Sequence, residues 1–225
     1  MKTQNRKYAV LAGWSLLLMA VTAGYAYGYV HGNLIVPNDA IHTLAHLQKD
    51  TNLFGSEIMG WLIILITDLL VAWSLYRYFQ QVQSTVSLLT GWVRAFYSVV
   101  LAVAIWQLVI VWQLLHTINP SAEEVMNRIT AFEQYWSLGL IIFGLHLVGL
   151  GYLSIKSSSV PNWIGWLLYL AGISYSALNL AKAFASGSTE IIITIEMILA
   201  APMALAEIGF AIWLVWKGGK TTKRK

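Results

Sequence analysis

Four ionisable side chains interrupt long apolar runs: Asp68 in ITDLL, Arg94 in WVRAF, His146 in GLHLV and Glu207 in LAEIG. Inside a membrane helix each such group costs about 2.5–3.5 kcal/mol on insertion scales, so it normally turns toward other helices and finds a partner. Two carboxylates, a guanidinium and an imidazole can do three things. They can bind and pass a proton, hold a small ion or solute, or close on one another as a buried ionic lock. In the last case Asp68–Arg94 is a salt bridge, His146 a hydrogen-bonded core residue, and Arg94 partly snorkelled. Asn179, with Gln107 and Gln113, can add hydrogen bonds between helices. Glu196, His116 and Lys182 lie nearer helix ends, where water reaches them.

A second constellation sits in IHTLAHLQKD, residues 41–50. His42 and His46 are four apart, on one face of a helix, with Asp39 just before them. Paired imidazoles at this spacing suit a divalent metal, but a closed zinc site needs four ligands and the neighbourhood offers too few. The expected reading is therefore two interfacial histidines, with no metal and no cofactor.

Other chemistry is missing from the chain. Cysteine is absent, which removes disulfides, thiolate metal sites and cysteine nucleophiles. HExxH, GxSxG, Walker and dinucleotide motifs do not occur. An intramembrane enzyme would use His146 with Asp68 or Glu207, or with a serine on another helix such as Ser74, Ser98 or Ser174, none of which the sequence marks as activated. Ser137 and Ser154 lie nine and eight residues from His146 on its own helix, too far along it to touch. Haem ligation by His146 would need one more axial ligand, and the other histidines, His31, His42, His46 and His116, all fall toward the outer ends of the spans.

The elements that must position these residues are membrane helices. Of 225 residues, 58% are hydrophobic and only 11% charged, well under the quarter usual in soluble domains. Eleven Trp and eleven Tyr suit the headgroup level of a bilayer. Six apolar stretches are long enough to cross about 30 Å of hydrocarbon: 8–30, 56–79, 88–115, 134–155, 162–184 and 190–216. The chain thus reads as one membrane domain over 1–225, all-α, a bundle of six transmembrane helices, with 217–225 as a basic tail. SSSVPN and SGST (186–189) are turns, with Ser188 or Thr189 as a helix cap.

Charge gives the orientation. Lys2, Arg6, Lys7, Arg77, Arg94, Lys156, Lys217, Lys220, Lys223, Arg224 and Lys225 fall on the N-terminal side; Lys49, Arg128 and Lys182 fall on the other. Eleven against three predicts both termini in the cytoplasm. The net charge of +4 is then a topology signal and not a nucleic-acid surface. The first span is too long for a cleaved signal peptide, although GYA at 24–26 resembles a cleavage site. Ala20, Gly24 and Gly28 give it a small-xxx-small seam suited to close helix packing. In the first outer loop, Pro37-Asn38-Asp39 opens a short amphipathic helix with Asp39 as N-cap and Ile41, Leu44, Ala45 and Leu47 as its apolar face.

At about 1.5 Å per residue, Asp68 and His146 each lie about 18 Å below the outer end of their helices. Glu207 reaches about 25 Å, and Arg94 rises about 9–10 Å from the inner surface. All four therefore fall between the midplane and the inner third, one on each of four helices.

YRYFQQVQ, FGLHLVGLGYLSIKSSSVPNWIGWLLYLAGISY, IVPNDAIHT with LFG, and AEIGFAIWLVWKG resemble the bacterial multi-pass family known as domain of unknown function 4386. The resemblance rests on Gly151, Tyr152, Leu153, Ser157, Pro161 and Gly165, and on Pro37, Asp39, Thr43 and Phe54 in the loop. It implies a six-helix protein of a bacterial plasma membrane that keeps its first span, and it supplies neither catalytic residues nor a substrate.

Three functions fit these residues. The leading expectation is binding or translocation of a small solute, ion or proton through the inner cluster, which requires a water-accessible cavity at Asp68 and His146. The second is an intramembrane enzyme, which requires a nucleophile or metal within reach of His146. The third is an accessory or sensor protein, whose cluster is purely structural. The lipid bilayer is the one sure partner, with a second copy or another membrane protein compatible with the sequence.

Overall fold

The computed structural model describes residues 2–184 and 189–220. Ser188, the expected cap, and the end of the basic tail lie outside the described residues. Among the described residues all regular structure is helical. We label the helices α1 (Lys2–Ala23), α2 (Ala40–Lys49), α3 (Thr51–Phe79), α4 (Ser84–Leu115), α5 (Ala122–Lys156), α6 (Asn162–Phe184) and α7 (Thr189–Trp216). Between α1 and α2 the chain passes through a π-helical stretch, Gly24–His31, and one further turn, Gly32–Leu34.

Six of these runs are long and apolar enough to cross a membrane, with α1 counted together with its π-helical extension. Their outward faces show why. Met59, Leu62, Ile66, Leu69 and Trp73 recur every three or four residues on α3 and are all exposed. Leu89, Trp92, Phe96, Val99, Val103 and Trp106 do the same on α4. Such stripes would drive aggregation in water and belong against lipid. The protein is a multi-pass membrane protein.

Several helix ends lie beyond the apolar runs. α5 begins at Ala122, not near 134, and α3 at Thr51, not near 56. Polar first turns, such as Glu123 and Glu124 on α5, suit helix N-termini and carry the helices past the hydrocarbon.

The chain packs as two compact units. One comprises the described residues up to Leu17, Thr67–Ser98 and those from Ser137 onward; the other comprises Leu18–Ile66 and Val99–Trp136. In the first unit α5 and α6 run antiparallel along a glycine seam. A Cβ on Gly151 would stand 2.7 Å from Tyr169 N and 2.8 Å from Gly165 O; one on Gly172 would stand 2.6 Å from Gly144 O. At the end of α7, Arg6 donates to the carbonyls of Leu214 (2.9 Å), Gly218 (2.7 Å) and Val215, closing acceptors that a helix C-terminus leaves open.

In the second unit the expected seam at Gly24 and Gly28 does not form. A Cβ at either position meets nothing within 4 Å. The buried residues of that stretch are Ala26, Val30 and His31, on another face. Close approach comes instead at Gly60, whose Cβ would stand 2.9 Å from Ala26 Cβ.

Candidate functional site

Three of the four intramembrane groups converge within the first unit. Arg94 of α4 sends Nη2 to Asp68 Oδ1 of α3 at 2.6 Å and Nη1 to His146 Nε2 of α5 at 3.1 Å. All three side chains are wholly buried. His146 Nδ1 lies 2.9 Å from the Thr90 carbonyl, which can only accept, so Nδ1 carries the hydrogen. Nε2 then offers its lone pair to the guanidinium. The two contacts together select the neutral Nδ1–H imidazole and occupy both nitrogens. The crevice beside His146, walled by Leu75, Phe79, Thr90 and Leu150, has no room for a water molecule. Asp68 Oδ2 has no hydrogen-bond partner among the described residues.

Glu207 joins this group through rings. Arg94 Cζ sits 5.2 Å over the Phe143 ring, and Phe143 packs edge-on to Tyr175 at 5.4 Å. Tyr175 donates to Glu207 Oε1 at 3.0 Å, tying α6 to α7. Glu207 feels the charges of both Arg94 and Asp68. The remaining polar residues act locally. Asn179 accepts from Ser137 at 2.8 Å and donates to the Tyr175 carbonyl at 2.9 Å. Lys182 and Glu196 pair at 2.5 Å near the other ends of α6 and α7. His116 Nδ1 turns back onto the Trp112 carbonyl at 2.7 Å.

The loop helix α2 forms as expected, with Asp39 as N-cap accepting from His42 N at 3.0 Å. Its buried face differs from the expected one: Thr43 and Leu47 are buried, while Ile41 is 76% exposed. The cause is Thr43, whose hydroxyl takes up the Val36 backbone on both sides, at 3.0 Å and 3.2 Å, and turns that face inward. His42 Nδ1 binds Asp39 Oδ2 at 2.7 Å. Among the described residues, no three histidines and carboxylates stand where they could share a metal.

The Asp39 contacts give a testable pH dependence. Hydrogen bonds from His42 backbone and side chain hold the Asp39 carboxyl below its ordinary range. A depressed carboxyl contributes stability above its unfolded pKa and loses it as pH falls through the folded value. The protection of the His42 and Thr43 amides against hydrogen exchange, taken relative to the intrinsic rate at each pH, should therefore fall below the normal carboxylate range. Asp39→Ala should show that lowered protection at neutral pH, with no further acid effect.

The second unit contains a site the apolar runs did not reveal. His31, the last residue of the π-helical stretch, places Nδ1 2.8 Å from Glu57 Oε1 of α3 and Nε2 3.2 Å from Glu133 Oε1 of α5. His31 and Glu57 are buried, and the Glu133 side chain is 44% exposed. Trp61 Nε1 donates to the same Glu57 oxygen at 3.4 Å. Tyr27 stacks on the imidazole at 5.0 Å, and Phe132 and Trp136 complete an aromatic wall. The signal in the sequence was two acids and a histidine within one residue of three span limits, Glu57 just inside its limit and His31 and Glu133 just outside theirs. Because the π-helical stretch and α5 run past those limits, these residues face one another.

Residues 11–218 match the family described as domain of unknown function 4386. The chain belongs to this family. An uncharacterized protein of the archaeon Archaeoglobus fulgidus is 30% identical over 167 residues, which span 74% of this chain and 86% of that protein. No solved structure matches the chain.

The motif residues that marked this chain as a family 4386 protein have structural roles. Gly151 and Gly165 let α5 and α6 touch backbone to backbone. Ser157 holds the turn between them through Ser159 Oγ at 2.8 Å. Thr43 and the wholly buried Phe54 fix the loop helix and the start of α3.

Proposed function

We propose that this family 4386 protein is a non-enzymatic accessory or sensor component of the membrane, in which Asp68, Arg94 and His146 lock helices together and do not conduct a solute. The observation that carries this is the closed geometry. The guanidinium is held between Asp68 at 2.6 Å and His146 at 3.1 Å, with no room for water beside the ring. A conduit needs such room. An enzyme using His146 needs a free ring nitrogen, and both are engaged. The sorting of basic residues supports both termini in the cytoplasm.

The absence of cysteine makes the test direct, since any introduced thiol is unique. Thr90→Cys puts one against His146; Ser121→Cys and Ser158→Cys put one in each of two exposed loops. In sealed cells a small impermeant thiol reagent should label Ser121→Cys, and should label Ser158→Cys only after permeabilisation. Thr90→Cys should stay unlabelled in both conditions and react once the protein is denatured. Labelling of native Thr90→Cys would return the cluster to a solute path.

A further inference from the structure

We propose that Glu133, His31 and Glu57 form a proton-binding site, in which protons from water reach the buried Glu57 carboxylate by way of the His31 imidazole. Exposure falls in order along the three residues: the Glu133 side chain is 44% exposed, His31 6% and Glu57 0%. Each ring nitrogen faces one carboxylate oxygen, at 3.2 Å toward the wet end and 2.8 Å toward the dry one. The order is that of a relay.

Hydrogen counting sharpens the assignment. Two nitrogen–oxygen contacts need two hydrogens, either both on the ring or one on the ring and one on a carboxyl. Removing one leaves lone pairs facing each other across a contact. Adding one requires a free acceptor, and Glu57 Oε2 is buried with no hydrogen-bond partner among the described residues. The dry end therefore keeps an open acceptor, Oε2, when Oε1 takes a proton from the ring. The charges acting on His31 come from Glu57 and Glu133, and among the described residues the other titratable group against it is Tyr27, one turn back along its own stretch. A metal does not fit, because the imidazole stands between the two acids and keeps them from converging on one ion.

The transfer balances without any co-reactant. A proton arriving on Glu133 Oε1 passes to Nε2 while the Nδ1 hydrogen passes to Glu57 Oε1. The Glu133 O–H and Nδ1–H bonds break, and the Nε2–H and Glu57 O–H bonds form. The ring is left as the other tautomer, which reverses or turns over before the next cycle. Tyr27, Trp61, Phe132 and Trp136 wall the site, so the ring is the route available. The histidine also closes a π-helical stretch, a local geometry that recurs at functional sites.

The full-length protein in lipid vesicles, studied by infrared difference spectroscopy after a pH jump, tests this. Wild type should show a carboxylic-acid C=O band of a buried group, and Glu57→Gln should remove it. In Glu133→Gln the band should still appear at equilibrium, but on the order of a hundredfold more slowly, the size of effect a positioned proton donor has on a transfer step. His31→Gln should slow it at least as much. If Glu57→Gln leaves the spectrum unchanged, the site is wrong. If Glu133→Gln follows the wild-type rate, the route is wrong. Because Glu133 is partly exposed, that variant keeps its fold and decides the matter even if the buried variants do not. The inner lock stands or falls separately, by cysteine labelling.

Discussion

Arg94→Met is expected to cost about 3–5 kcal/mol of stability, because it strands the buried Asp68 carboxylate without its counter-charge. Asp68 is wholly buried, one of its oxygens has no other partner, and the ring beside it supplies no second cation. The paired replacement Asp68→Leu/Arg94→Met should recover most of that loss. Desolvating two charges is itself costly, and apolar pairs of similar volume are often neutral or better. Arg94→Lys should behave closer to Arg94→Met than to wild type. A single ammonium cannot reach Asp68 and His146 with separate nitrogens of one planar fork. Denaturation of the purified protein, followed through tryptophan fluorescence, measures all four states. Equal stability of single and paired variants would mean that the guanidinium and carboxylate are not coupled. Such a result would remove the physical basis of the lock.

That cluster was legible in the sequence because a charge in an apolar run is costly enough to demand a partner. Depth arithmetic placed Asp68, Arg94, His146 and Glu207 together, and the first three do touch. Glu207 is set apart by Phe143 and Tyr175, rings whose positions depend on side-chain packing that no spacing rule encodes. The same arithmetic hid the His31 site. Near a span limit a polar residue is free to face water, so nothing in the composition singled out Glu57 or Glu133. Only the overrun of α5, and the extra backbone of the π-helical stretch, bring the three together. Six spans were plain from the apolar runs; which faces meet was not. The loop helix illustrates the difference. Its apolar pattern pointed inward through Ile41, and a hydroxyl at Thr43 turned it.

Glycine seams give the other large effect, and they separate a small residue that packs from one that does not. Gly144 and Gly151 are seven apart on α5, and Gly165 and Gly172 are seven apart on α6. Antiparallel helices pair Gly144 with Gly172 and Gly151 with Gly165, and each added Cβ would run into backbone. Backbone cannot swing aside as a side chain can. Gly151→Ala should therefore cost at least the 1–3 kcal/mol typical of overpacking, and Gly151→Val should abolish folded, monodisperse protein. Gly28→Ala is the matched contrast. Its Cβ meets nothing within 4 Å, so the ordinary helix preference of alanine should leave stability unchanged or raise it by about 0.5–1 kcal/mol. Thermal unfolding midpoints in one detergent compare the two directly. A Gly28→Ala loss as large as that of Gly151→Ala would mean that the first span packs through Gly24 and Gly28 after all. The face that buries Ala26, Val30 and His31 would then have to turn away, and the contacts of His31 with Glu57 and Glu133 would go with it.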